Sequence, residues 1–314
     1  MGSLISSPRP AVHVHEVNPL SAGVAVTYAG VCIVADSIRC PDPLTNVYEG
    51  HYRGQSARFK EYRRLDYHAR EGIDVCAMLM NEARLRRRHQ TANHVPVSGV
   101  YQATLAHGSS SFLIEAPYHY VPLKEYLSAN PDADRKPLLK EALHIIGDLH
   151  CKGLVLGVIR LKSFVVDPSG KLFLSGFETM RAENPSSPFR AVLNPSFDSM
   201  ACMAPELLQS MGTDGLASLT RATDTYAVGC FAYELFIGDP PFLAKYRGYP
   251  THMAQFQLIR DVVGGAELPE RPAMEACARS GLTDEIWGLL TECWSTEPSL
   301  RPSVYDVLAR VTLT

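Results

Sequence analysis

The chain has no apolar stretch approaching the ~18 residues that a membrane-spanning helix needs, so none is expected. Its first residues lack the basic flank and apolar core of a secretory signal. Its eight cysteines (Cys32, Cys40, Cys76, Cys151, Cys202, Cys230, Cys277 and Cys293) contain no CxxC pair. Disulfide frameworks and zinc sites usually show clustered spacings, so the reading is an intracellular, cytoplasmic chain with reduced thiols. Neither sign of charge is in excess: the net charge is −3, which exerts no global pull on nucleic acid or anionic membrane. No nucleic-acid partner is expected, and no internal repeat is present. What the chain does have is apolar content, 46% against 20% charged over 314 residues. That suffices for a sizeable core and excludes a mostly disordered protein. The length predicts about two domains, or one two-lobed unit.

Residues 1–25 are rich in Ser, Pro and Gly without a sustained period, and read as a flexible N-terminal tail. From Val24 to about Arg64, short apolar runs (VCIV, NVYEGHYRG, ARFKEY) punctuated by Gly and Pro-Asp-Pro predict strands. Val75, Met78, Leu79, Glu82 and Leu85, at three- and four-residue steps, predict a helix between Ile73 and His89. Two further strands are expected around HVPVSGVYQ and SFLIEA. After Leu123 helices dominate: LKEYL, Lys136–Cys151, and a long apolar helix from about Thr223 to Ile237. FVVDPSGKLFLS reads as a hairpin, with Asp167 supplying turn chemistry. Strands first and helices later predict an α+β chain with two lobes, the first over about 26–117 and the second over about 118–314.

From the hairpin outward, the chain resembles the protein kinase family. His150–Val155 resembles the end of the helix that leads into a kinase catalytic loop, and Leu156–Val166 stands in place of H-[RG]-D-x-K-x-x-N and its following strand. Leu174-Ser175-Gly176-Phe177-Glu178 stands where D-F-G belongs, and Ala204-Pro205-Glu206 is an intact A-P-E. Asp224–Gly229 resembles the start of the buried central helix of the large lobe. Cys293–Pro302 resembles the C-W-x-x-x-P-x-x-R-P element of tyrosine-kinase-like members. Ala57-Arg58-Phe59-Lys60 resembles the V-A-I-K strand, and Glu82 the C-helix glutamate. The resemblance covers roughly residues 30–314. It implies a bilobal fold with a small β-rich lobe carrying the C-helix and a large helical lobe.

Phosphoryl transfer depends on positioning and electrostatics. The resemblance places Val158 at the proton-accepting carboxylate, and Ser163 and Gly176 at the Mg²⁺ ligands. Those three offer one hydroxyl and no charge, whereas Mg²⁺ is usually held through carboxylates. Loss of a general base alone costs roughly 10²–10⁴ in rate. The glycine-loop positions are Cys40, Asp42 and Thr45, so backbone cannot approach phosphates closely. Arg58 stands where the family places a small alanine against adenine; it either finds a partner or displaces the strand. The implied reading is a pseudokinase: a protein-binding scaffold or regulator with no catalytic residue, no cofactor and no useful ATP affinity. Its partners are other proteins, an active kinase among them. The alternative is a divergent ATP-dependent Ser/Thr or Tyr kinase, with Glu178 as an outside candidate for the metal carboxylate.

Lys60 and Glu82 are the cofactor-binding candidates, as an aligning ion pair or as a vestige of one. Arg86, four residues after Glu82, replaces an apolar family residue, which predicts a C-helix swung out or covered by a partner. The basic run Arg84, Arg86, Arg87, Arg88, His89 is a solvated helix end or a nucleic-acid patch. His13 and His15 alternate in the tail as a candidate metal pair, though such a lone pair is more often no site. Met1–Ser6 matches the N-myristoylation pattern, so membrane contact is expected only if Gly2 is acylated. Ser186, Ser187, Ser196 and Ser199 lie in the activation-segment analogue, but Gly157 replaces the arginine that usually receives a phosphate there. Glu206 and Arg301 are expected to form a buried ion pair.

Overall fold

The computed structural model describes residues 24–28, 31–34, 45–62, 75–105, 108–177, 179–184, 196–211, 218–264 and 268–313. Gly2, His13, His15, Cys40, Asp42, Glu178, Ser186 and Ser187 lie outside them. The chain divides into two compact units, residues 1–88 with 96–119, and residues 89–95 with 120–314. The first is a small β-rich lobe and the second a larger, mainly helical one, the α+β bilobal architecture that the pattern predicts.

The small unit is a six-stranded antiparallel sheet with one helix. Strands β1 (Val24–Tyr28), β2 (Val31–Val34), β3 (Thr45–Tyr52), β4 (Gln55–Tyr62), β5 (Gly99–Leu105) and β6 (Gly108–Glu115) run in the order β1-β2-β3-β4-β6-β5. The β3–β4 hairpin closes on Arg53-Gly54, both at positive φ (52° and 79°), as a twisted two-residue hairpin turn requires. The strand expected from His94 begins only at Gly99. His94 makes an isolated bridge to Leu174, and Pro96 has no N–H to give a ladder. Alternation along β4 and β6 sends Ala57, Phe59, Phe112 and Ile114 to one face, where they pack with Tyr48 and Tyr101. The opposite face meets helix α1 (Val75–Arg88) through Leu113, Leu79 and Ala83.

In the large unit, β7 (Val121–Pro122), β9 (Phe164–Val166) and β10 (Leu172–Leu174) form a three-stranded sheet, and β8 (Leu154–Val155) pairs with β11 (Arg181–Ala182). The β9–β10 turn is held by Asp167, whose Oδ1 accepts from the Ser169 N–H at 2.8 Å and the Lys171 N–H at 3.0 Å. The helices are α2 (Leu123–Ala129), α3 (Arg135–Cys151), α4 (Phe197–Met200), α5 (Pro205–Ser210), α6 (Arg221–Ile237), α7 (Leu243–Tyr246), α8 (Thr251–Val263), α9 (Met274–Ser280), α10 (Asp284–Cys293) and α11 (Val304–Leu313).

Helix α6 is buried on nearly every side, as its almost unbroken apolar sequence requires. Thr220 caps its start and Gly238, at φ 94°, ends it. Gly229 lies where α6 meets Trp294: a Cβ there would sit 2.7 Å from Trp294 Nε1 and 3.0 Å from Cys293 Cβ. Gly229→Ala is therefore expected to destabilise the protein by about 1–3 kcal/mol through overpacking, although alanine is the better helix former. A denaturant midpoint at or above wild type would overturn that packing argument. Burial pushes the Cys293 thiol up to about 12 and raises Cys230 as well, so these core thiols are unreactive.

Candidate functional site

The kinase-like positions fall into two groups, one in each unit. In the small unit, β4 presents Arg58 and Lys60 on the face that α1 covers. Strand register places Arg58 opposite Glu115 and Lys60 opposite Leu113, while α1 brings Glu82 and Arg86 one turn apart. Lys60 Nζ lies 3.5 Å from Glu82 Oε1. The same oxygen accepts from Arg86 Nη1 at 3.1 Å, and that Nη1 also donates to Glu115 Oε1 at 2.8 Å. Glu115 Oε2 accepts from Arg58 Nε, whose guanidinium lies over the Tyr118 ring, 4.5 Å from its centroid.

Three cations and two carboxylates thus form one chain of charge in the interior of this unit. Burial alone would raise the Glu115 pKa; Arg58 and Arg86 beside it, with Lys60 further off, hold it down at about 2. Arg58 has found an internal partner, and the strand keeps its place. Arg86 is 2% exposed and its Nη1 pairs with Glu82 and Glu115 within its own unit, so its burial needs neither a swung-out helix nor an external partner. Of the basic run, Arg84, Arg87 and Arg88 are exposed toward the end of α1.

In the large unit, the backbone that would carry a catalytic loop is held firmly. Asp224, fully buried near the start of α6, accepts from the Leu156 N–H at 2.8 Å and the Gly157 N–H at 2.7 Å, and lies 2.9 Å from His150 Nε2. Thr179 Oγ1 accepts from the Val158 N–H at 3.1 Å and donates to the Leu156 carbonyl. Gly157 adopts φ 82°, and a Cβ on it would meet Leu219 Cδ1 at 2.6 Å. The positive φ is what favours glycine there, since the Leu219 methyl can turn aside.

Val158, Ser163 and Gly176 are brought together. Ser163 Oγ lies 3.4 Å from the Val158 carbonyl and accepts from the Arg160 N–H at 3.2 Å. The Ser163 carbonyl accepts from the Ser175 and Gly176 N–H groups at 2.9 and 3.0 Å. A Cβ on Gly176 would stand 2.8 Å from Ser163 Cα. Phe177, next in the chain, is buried with its ring edge-to-face on His94. The activation-segment residues Ser196 and Ser199 lie at the start of α4, where Ser196 Oγ accepts from the Ser199 N–H. Among the described residues, no group of three His, Cys, Asp or Glu side chains converges as a metal site.

Two features escape a reading of the sequence alone. Arg160 stands at the lysine of the H-x-D-x-K pattern, yet its Nη2 donates to Glu234 Oε1 at 2.7 Å, and Glu234 Oε2 accepts from the Leu161 N–H. Pattern spacing exposes Arg160; nothing local predicts Glu234, which comes from α6. Glu115 was equally hidden, since a lone acid ending an apolar strand gives no hint of which cations face it. At the other end of the unit, Arg301 Nη1 and Nη2 donate to Glu206 Oε1 and Oε2 at 2.7 and 2.8 Å. Its other bonds go to the Ala222, Ser295 and Thr296 carbonyls. The expected pair is present, with Arg301 fully buried but the Glu206 side chain 28% exposed.

Comparison with known proteins matches residues 55–311 to the protein kinase domain. The human Rho-associated protein kinase 1 is 32% identical over 107 residues, covering 33% of this chain and 7% of that protein. The kinase suppressor of Ras A of Caenorhabditis elegans is 23% identical over 188 residues, covering 57% of this chain and 22% of that protein. A probable inactive serine/threonine-protein kinase of Dictyostelium discoideum is 23% identical over 171 residues, covering 54% of this chain and 13% of that protein. The chain therefore matches only a minor part of each of these relatives. No helix among the described residues is long and apolar enough to cross a membrane. With a family match spanning most of its length, and the catalytic-loop backbone, the A-P-E pair and the buried central helix all in place, the chain belongs to the protein kinase domain family.

Proposed function

We propose that this domain is a pseudokinase of the tyrosine-kinase-like type, a cytoplasmic scaffold or regulator that binds other proteins, an active kinase among them. The observation that carries this reading is the packing at Gly176. A side chain there would collide with Ser163 Cα, so the site has closed over the missing carboxylate. Val158 has no group that accepts a proton, and the two buried carboxylates touching the loop are engaged, Asp224 by backbone N–H groups and Glu234 by Arg160. The described residues at these positions do not fit Mg²⁺ as the family holds it. In the small unit, Glu82 lies within ion-pair distance of both Lys60 and Arg86.

A second reading, phosphoryl transfer with substituted residues such as Glu178, is favoured by the names of relatives such as Rho-associated protein kinase 1 and the developmentally-regulated protein kinase 1 of Dictyostelium discoideum. Transfer of label from the γ-phosphate of ATP, with Mg²⁺ and with Mn²⁺, separates the two. We expect no incorporation. Incorporation that vanishes in Glu178→Ala would overturn the scaffold reading. A thermal melt with millimolar ATP, once with Mg²⁺ and once with EDTA, is expected to stay flat. A ligand at tenfold its dissociation constant would stabilise by ~1.4 kcal/mol, a shift of roughly 2–4 °C.

A further inference from the structure

The large unit holds a cleft of about 150 Å³ at the meeting of α2, the start of α3 and the end of α6. Helices α2 and α6 both pack on the Leu161–Ser163 turn there. Leu127, Leu161, Leu235, Phe236 and Ile237 supply the apolar wall, and Lys124 and Arg135 the charge. Leu161, Leu235 and Phe236 are buried, whereas Leu127 and Ile237 are only half-buried, which leaves apolar surface for a guest to cover. No Asp or Glu lines the cleft.

Neither cation is paired with a carboxylate among the described residues. Lys124 is exposed on α2, and its ammonium meets no acceptor there. Arg135 Nη1 and Nη2 donate to the Ala133 and Pro131 carbonyls at 2.8 and 2.9 Å. Those bonds fix the guanidinium without neutralising it, and its Nε is buried with no hydrogen-bond partner. A buried donor left open costs free energy that an acceptor would restore. Two neighbouring acids are placed elsewhere: Asp134 caps α3 through the Lys136 N–H at 3.0 Å, and Asp239 lies 3.7 Å from Arg247. We infer that this cleft binds a small apolar carboxylate, with a single ring or branched chain against the leucines and Phe236 and its two oxygens shared between Lys124 and Arg135. Its volume is that of a cavity that takes up one benzene-sized ring, too small for a nucleotide. The same chemistry occurs in a free organic acid and in the C-terminal residue of a protein that ends in Phe or Leu. The inference goes beyond the pseudokinase reading and does not rest on it.

The test follows the NMR methyl resonances of Leu127, Leu161, Leu235 and Ile237 in the full chain as phenylacetate, or a short peptide ending in Phe, is added to millimolar concentration. Those resonances should shift and saturate. Phenylacetamide should bind about tenfold more weakly, the worth of one charge-assisted hydrogen bond, and Lys124→Glu should weaken phenylacetate by a similar factor with its melting temperature unchanged. The amide comparison needs no variant, so it stands whatever the substitution does to folding. Tighter binding of the peptide than of phenylacetate, lost when its C-terminus is amidated, would support the proposal and assign the source to a protein terminus. Binding of phenylacetate without the peptide would support it and assign a free acid. No shift with either ligand, equal binding of the amide, or shifts confined to methyls elsewhere would each overturn it. The phosphate-transfer assay decides the pseudokinase reading separately, and its outcome leaves this titration unaffected.

Discussion

Replacing Glu115 by alanine is expected to cost about 3–5 kcal/mol of stability, because it strands Arg58 and Arg86 in the interior of the small unit without their shared carboxylate. Glu115→Gln keeps the shape and removes only the charge, so it should be destabilised by a similar route. Acid provides an independent check. The Glu115 carboxyl is held at about 2, below its ordinary 4.5, so its contribution is complete above pH 4.5 and disappears as pH falls toward 2. The gap in denaturant midpoint between wild type and Glu115→Gln should therefore be widest near neutrality and close between pH 4.5 and 2. A gap that is absent at pH 7, or constant down to pH 2, would show that the buried charge chain does not exist in solution. Replacing the whole chain by apolar residues of similar volume should recover much of the loss, since buried ion networks hold little net advantage over a packed core.

Arg301→Ala is expected to be as severe in the large unit. Its guanidinium donates to both Glu206 oxygens through two parallel bonds, donates to the Ala222 and Ser295 carbonyls, and lies over the Tyr226 ring. Removing it takes away the link between the A-P-E glutamate and the start of α6. The expected loss is about 3–5 kcal/mol, a fall in melting temperature of roughly 6–20 °C at the usual 2–4 °C per kcal/mol. Arg301→Lys should restore only part, because an ammonium lacks the planar fork that both carboxylate oxygens occupy. An alanine variant with the wild-type denaturant midpoint would mean that Glu206 and Arg301 contribute nothing to folding.

Elements whose signals are local were legible in advance. The 3.6 period exposed α1 and α3, the Asp-Pro-Ser-Gly turn exposed the β9–β10 hairpin, and the unbroken apolar run of α6 announced its burial. Motif order was legible too, which is why Lys60 with Glu82 and Glu206 with Arg301 were expected as pairs. Arg86 was misread. On a helix wheel it is a cation at an apolar position, and the wheel says nothing about the strand that faces it.

By itself, the sequence determined which residues stand at the family's motif positions: Val158, Ser163 and Gly176 carry no carboxylate whatever the fold does with them. It also determined the order of strands and helices, since each follows from periodicity and turn residues within a few neighbours. Only the tertiary structure decided what became of the vacated positions. Strand register set Arg58 opposite Glu115, which lies 57 residues away. Gly176 approaches Ser163 so closely that a Cβ on it would stand 2.8 Å from Ser163 Cα, and α6 supplies Glu234 to hold Arg160. Electrostatic partners and close packing act over a few ångströms in space, and a chain that brings distant residues that close does not announce it in their spacing along the sequence.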